Sequence, residues 1–229
     1  MITKDTRSIL KNLIPINNSM IVEPVMHGTD EFKGITFRAN LDIIEDDIQE
    51  FGIFDMSSFL NSLDLLEDAD VSLDGNRIIA QDKDSKLEFI TTDPSALEDV
   101  AGNPRVIDST LNANSAIEFN FGSEMLNRIK KASGVFKTFD TLFVLKNGND
   151  VSLKMGTKDT YNKSNNSFAI SVDTTLATDK DFEIALPIES LLKIPAVDYN
   201  FIVKYNEEKD IYRVVVQNDI LVFVMSLSK

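Results

Sequence analysis

Thr3-Lys4-Asp5-Thr6-Arg7-Ser8-Ile9-Leu10-Lys11-Asn12-Leu13-Ile14-Pro15 is the stretch on which the reading of this chain turns. Thr6, Ile9, Leu10 and Leu13 recur at the spacing of one helical face. Lys4, Arg7 and Lys11 recur on the opposite side. Thr3 is placed to cap the helix, and Pro15 stops it. A short helix with a basic outer face is therefore expected, in a chain that is acidic almost everywhere else.

The 229 residues carry 23 Lys and Arg against 37 Asp and Glu, a formal net charge of −14. That excess repels nucleic acid from most of the surface while permitting a local basic patch. The length allows one large or two ordinary domains, each with its own core. With no Cys, disulfides, thiolate nucleophiles and Cys-ligated metals are excluded. The apolar runs are too short to span a bilayer, and Asp5 and Arg7 interrupt any signal-peptide pattern, so neither a membrane segment nor a leader is expected.

Working outward, short strands are expected at 19–22, 34–39, 41–44 and 50–54, with Glu23-Pro24 and His27-Gly28-Thr29-Asp30 as turns. Asp55 caps a second helix, 56 to about 66, with Met56, Phe59, Leu60, Leu63 and Leu66 buried. Its outer face is Ser57, Ser58, Asn61, Ser62 and Asp64, with no cation. Strands follow at 70–73, 77–81 and 86–91, the first two joined through Asp74-Gly75-Asn76. From Thr92 to about Ser115 the periodicity lapses into loop chemistry, which reads as an interdomain connector.

A strand at 117–121 leads through Gly122-Ser123 into a third helix, 124 to about 134. Met125, Leu126, Ile129, Ala132 and Phe136 are its apolar face, and Arg128, Lys130 and Lys131 lie on the other, with Lys137 just beyond. Asn147-Gly148-Asn149 marks a hairpin between strands at 141–146 and 150–155. Residues 161–167 read as a loop, and 168–173 and 182–186 as strands. Pro187 opens a fourth helix, 188–193, and strands at 200–205, 212–217 and 220–227 end the chain.

The order of helix, strands, helix, strands occurs twice. Phe51-Gly-Ile-Phe-Asp-Met-Ser-Ser-Phe-Leu resembles Phe182-Glu-Ile-Ala-Leu-Pro-Ile-Glu-Ser-Leu-Leu, a strand running straight into a short helix, and Leu10-Lys11 corresponds to Ile129-Lys130. The expected architecture is a duplicated α+β domain, 1–108 and 109–229, with the connector at about 92 to 115.

These runs resemble the sliding clamps, or DNA polymerase processivity factors, of T-even-type bacteriophages. The opening Thr3–Ser19 stretch, Phe54–Leu63, Asp93-Pro94-Ser95 and Glu124–Gly134 carry the resemblance, which extends diffusely along the whole chain. It implies a homotrimeric ring of six similar domains, with helices inside and antiparallel sheets outside, around duplex DNA. It also implies a replicative DNA polymerase as tethered partner, an ATP-dependent clamp loader, late-transcription factors, and the cytoplasm of an infected host cell. No cofactor, metal or catalytic residue is implied.

Carried over, Lys4, Arg7, Lys11, Arg128, Lys130, Lys131, Lys137 and Lys193 would face DNA. Backbone contacts by such cations are independent of sequence and sensitive to salt, which suits sliding. With no cation on helix two and only Lys193 on helix four, a mildly positive lining is expected, contacting DNA largely through water. Ring closure would pair edge strands through Leu87, Phe89 and Ile90 on one subunit and Phe168 and Ile170 on the next. Val100, Val106, Ile107, Met225 and Leu227 are positional candidates for a partner-peptide pocket.

Other constellations point elsewhere less strongly. His27, the sole histidine, has no Ser or Cys signature beside it and reads as a solvated loop residue. Asp70-Val-Ser-Leu-Asp-Gly-Asn begins like a calcium loop but has Gln81 at position twelve. Glu45, Asp46, Asp47 and Glu50 would serve a metal-dependent hydrolase only with ligands from elsewhere. No phosphate-binding loop is present: Gly102-Asn103-Pro104 lacks the Lys-Ser/Thr pair. The rival from another class is a structural or scaffold protein of β-rich domains without a DNA role. A scaffold has no reason to segregate its positive charge onto two helices.

Overall fold

A computed structural model describes residues 2–42, 50–67, 69–158 and 166–227. The chain forms two compact units. One comprises Met1–Phe32 and Thr36–Pro104, the other Lys33–Ile35 and Arg105–Lys229. The change from one to the other after Pro104 comes four residues ahead of the boundary expected after residue 108.

In the first unit, α1 (Lys4–Leu13) starts at Thr3, whose hydroxyl oxygen accepts the Thr6 N–H at 3.1 Å. Thr6, Leu10 and Leu13 are buried on its inner face. Each fully buried leucine contributes roughly 1.5–3 kcal/mol of apolar transfer. β1 (Met20–Val22), β2 (Val25–Thr29), β3 (Ile35–Asn40) and β4 (Phe51–Ile53) follow; β1 pairs antiparallel with β4, and β2 with β3. Asp55 then caps α2 (Met56–Leu63) by accepting the Ser58 N–H. The helix ends three residues earlier than expected, and Leu66 beyond it is half-buried. β5 (Asp70–Asp74), β6 (Arg77–Gln81) and β7 (Lys86–Ile90) form a meander. Gly75 turns its first hairpin at φ 59°, in the left-handed region glycine tolerates. α1 packs on α2, and Phe59 of α2 meets Phe89 of β7 with ring centroids 5.0 Å apart.

Two expectations need correction here. Residues 27–29 are not a turn but part of β2, where Gly28 lies opposite Phe37. A Cβ on Gly28 would sit 2.3 Å from the Phe37 ring, so this glycine makes room for a core aromatic instead of bending the chain. His27 is accordingly a half-buried strand residue, with Nδ1 3.7 Å from the Glu23 carboxylate. The connector is also not a loop. A 3₁₀ helix spans Pro94–Val100, with the Asp93 carboxylate accepting the Ser95 N–H. α3 (Pro104–Leu111) follows it. Pro104 is the first residue of that helix, where its missing N–H costs nothing.

The second unit continues from α3 through β8 (Asn114–Phe121), α4 (Ser123–Val135), β9 (Thr141–Asn147), β10 (Asp150–Gly156) and β11 (Phe168–Val172). β12 (Thr174–Ala177), β13 (Phe182–Pro187), α5 (Ile188–Lys193), β14 (Tyr199–Asn206), β15 (Ile211–Gln217) and β16 (Leu221–Met225) complete it. One antiparallel sheet has the order β11-β10-β9-β13, and in another the unit's strands run β12-β8-β14-β15-β16. β12 is a short strand that the sequence reading lacked. Ile107 of α3 is fully buried among Ile202, Val215, Val222 and Val224, with Leu111 packed beside it. Phe119 and Phe201 stack at 4.8 Å, and Phe121 meets Phe201 at 5.4 Å, all three fully buried.

The units repeat one plan. Each has a basic helix packed on a shorter one (α1 on α2, α4 on α5), a strand leading directly into the shorter helix (β4 into α2, β13 into α5), and then a three-stranded meander. Leu10 and Ile129, equated in the repeat, are both fully buried. The architecture is α+β, with helices set against antiparallel sheets.

Candidate nucleic-acid interface

On α1 the basic face stands clear of the core: Lys4 and Lys11 are exposed and Arg7 is half-buried. Together they form one wall of an open groove of about 800 Å³. The far wall carries Asp64, Glu67 and Asp70, so three cations face three carboxylates among the described residues. Lys11 Nζ donates to Asp64 Oδ2 at 2.8 Å, with both side chains about half exposed. Arg7 Nε is buried without a hydrogen-bond partner, an unmet donor on the groove side of the helix. α2 offers no charge of its own to this face. Its serine hydroxyls are engaged within the chain: Ser58 donates to the Asp55 carboxylate, Ser62 to the Ser58 carbonyl, and Ser57 to Asn18. Hydrogen bonds from Ser58 hold the Asp55 carboxyl below its ordinary range.

α4 begins at Gly122, which has no side chain to cap it. Asp198, 75 residues on, does so instead, accepting the Ser123 N–H at 2.7 Å. The same hydrogen bonding holds the Asp198 carboxyl low. This long-range cap sets the position of the second basic helix, and no local pattern announces it. Arg128 is exposed, with its guanidinium carbon 5.9 Å from the centroid of the Phe168 ring, so it leans toward β11. Lys130 is half-buried and donates to the Ile194 carbonyl at 2.7 Å, at the end of α5. Burial pushes its ammonium pKa down. Lys131 and Lys137 are exposed. Lys193 on α5 pairs with Glu189 at 3.2 Å.

The strands expected at subunit contacts lie, among the described residues, at open sheet edges: β7 in the order β5-β6-β7, β11 in β11-β10-β9-β13. Leu87, Phe89 and Phe168 are half-buried and Ile90 is 67% exposed, while Ile170 is buried within its own unit. Of the pocket candidates, Val100, Val106 and Leu227 are half-buried. Ile107 and Met225 are fully buried core residues, so neither side chain lines a surface pocket, which corrects that expectation.

Asp70–Asn76 is a strand and its turn, as the hairpin reading of that stretch expected. Among the described residues no three His, Asp or Glu side chains converge on a metal position. Glu45, Asp46 and Asp47 lie outside the described residues, and Glu50 is exposed. No described helix is long and apolar enough to cross a membrane.

No protein-family model matches the chain. The sliding clamp of Vibrio phage KVP40 is 25% identical over 191 residues, covering 83% of this chain and 84% of that one. Among solved structures, A. fulgidus PCNA bound to the C-terminal region of FEN-1 has a TM-score of 0.65 at 10% identity, covering 97% of this chain and 94% of that one. The PCNA2–PCNA3 complex of Sulfolobus tokodaii gives 0.66 at 10% identity, covering 96% and 94%. The Helicobacter pylori beta clamp bound to a DNA ligase peptide gives 0.62 at 12% identity over 98% of this chain. Only 64% of that clamp is covered, so the chain spans less than two thirds of its length. The chain has the sliding-clamp fold, and its sequence is similar to that of a phage sliding clamp along most of its length.

Proposed function

We propose that this chain is the subunit of a DNA sliding clamp, a ring that encircles duplex DNA and tethers the replicative polymerase for processive synthesis. The observation that carries the reading is the duplicated clamp fold with its basic residues on α1 and α4, the equivalent helices of the two units. Lys4, Arg7, Lys11, Arg128, Lys131 and Lys137 supply backbone attraction without base readout. Lys130 and Lys193, tied to Ile194 and Glu189, contribute less. Three copies close the ring, each presenting β7 to the β11 edge of its neighbour, a head-to-tail contact that closes on itself. The ring performs no chemistry. An ATP-dependent loader places it on DNA in the cytoplasm of the infected host cell, and late-transcription factors share its outer surface with the polymerase.

The test is solution mass by light scattering across a dilution series, then retention on nicked circular DNA before and after linearisation. The expected species is three times the 25.6 kDa subunit, dissociating on dilution and lost from DNA once an end is created. A monomer at every concentration, or equal retention on circular and linear DNA, overturns topological tethering.

A further inference from the structure

The second unit holds a small, partly open pocket of about 80 Å³ between the end of α3 and the strands β14 and β15. Three cations line it, Lys204, Lys209 and Arg213, and among the described lining residues there is no carboxylate. In a chain of net charge −14, such a concentration of positive charge around one cavity is a pronounced local field.

Two of the cations, Lys204 and Arg213, are held in place by groups that leave donors to spare. Lys204 Nζ donates to the Ala113 carbonyl at 3.1 Å and to Ser115 Oγ at 3.0 Å, which uses two of its three N–H bonds. One Arg213 nitrogen donates to Thr110 Oγ1 at 2.8 Å, leaving most of a five-donor fork. The Thr110 hydroxyl is itself fixed by donating to the Val106 carbonyl at 2.7 Å. Asn206 Oδ1 accepts the Lys209 N–H at 3.0 Å, which positions the turn carrying Lys209 and leaves the Asn206 amide NH₂ as a further donor. Opposing charge lies close by without entering. Glu207 and Glu208 are exposed in the same turn, and Asp210 is engaged by the Tyr205 hydroxyl at 2.7 Å.

We propose that this pocket is a phosphate site, taking a phosphate group either free or as a monoester whose organic part stays outside. A cavity of about 80 Å³ has room for an oxyanion in place of several waters, and the organic part of a monoester would stay at its mouth. A lining that brings together a guanidinium fork and two ammonium groups, with no carboxylate among its described residues, suits a multiply charged tetrahedral anion. The site shares no residue with the basic faces of α1 and α4, so its failure or success leaves the clamp reading untouched.

The full chain, titrated with sodium phosphate and separately with glycerol 3-phosphate at constant ionic strength, tests this by calorimetry and by backbone amide resonances. Saturable shifts are expected at residues 109–113 and 204–213. The variants Lys209→Gln and Arg213→Gln are each expected to weaken binding about tenfold, the worth of one charged hydrogen bond. Binding of both probes means an open mouth, and binding of free phosphate alone a closed one; either supports the site. Absence of saturable binding, or unchanged affinity in Lys209→Gln, overturns it. Lys209 is exposed, so its replacement leaves the fold intact and decides the matter even if Arg213→Gln unfolds.

Discussion

Replacing Asp64 by Asn tests whether the groove beside α1 is electrically tuned. The Lys11–Asp64 pair at 2.8 Å would be worth about 1.5 kcal/mol by Coulomb's law in bulk water. Both side chains are about half exposed, so screening and side-chain entropy bring the net to about 0–1 kcal/mol, and Asp64→Asn should barely move stability. Its effect on DNA should be larger. It turns a groove of three cations against three carboxylates into one with a net positive charge and releases Lys11 for a phosphate. Each added phosphate contact steepens the dependence of log affinity on log salt by about 0.9, or about 2.7 for the three copies of the proposed ring. Between 50 and 200 mM salt the variant should then lose about forty-fold more affinity than the parent. Fluorescence anisotropy of a labelled duplex over a salt series reads this directly. Lys11→Ala should bind more weakly than the parent, and the double variant should return near it. An unchanged salt slope in Asp64→Asn would refute the idea that Lys11 reaches DNA once unpaired.

Four further outcomes are expected. Ile107→Ala, which empties a fully buried position under α3, should cost about 2–5 kcal/mol in urea unfolding and open residues 104–111 to proteolysis. Gly102→Ala should destabilise by about 1–3 kcal/mol or more, because its Cβ would lie 2.6 Å from the Gly28 backbone. Gly134→Ala, in open space on α4, should instead stabilise by about 0.5–1 kcal/mol in thermal melts. The phenol of Tyr205 is pushed up to about 12, first by its hydrogen bond to Asp210. A raised acid favours the folded state below its ordinary pKa and loses that contribution as pH climbs through the raised one. Asp210→Gly removes the carboxylate at a backbone φ of 50° that glycine adopts readily, so ultraviolet titration should find Tyr205 ionising near the usual tyrosine range.

Helices with whole amphipathic turns were legible in the sequence. Thr3 and Asp55 cap where their types predict, and Leu10, Leu13, Phe59 and Leu60 are buried where their spacing predicts. The two-residue turns at Gly75 and Gly148 fall at positive φ, as hairpin chemistry requires. What failed were places where packing outweighed local chemistry. His27-Gly28-Thr29 has turn composition, yet Gly28 lies in a strand because the Phe37 ring occupies the space of a side chain. Pro104 read as a break, although Ile107 and Leu111 four residues apart, with proline ahead of them, were signs of a short helix.

Long-range electrostatics was the least legible feature, and it changes the functional reading most. Lys11 and Asp64 are 53 positions apart, and Lys130 and Ile194 are 64 apart. Charge spacing within one helix reveals neither partner. Once the partners are known, the basic faces of α1 and α4 are weaker attractors than their composition suggests. Lys11 is paired, Lys130 is spent on a carbonyl, and Arg128 leans on an aromatic ring. A protein that must hold DNA tightly would leave these cations unopposed. One that must remain near DNA while moving along it needs shallow wells between successive phosphates, and partial neutralisation of each cation is a direct means of making them shallow. In the proposed ring the acidic remainder of the chain would confine the duplex by repulsion, so that retention comes from enclosure while friction stays low.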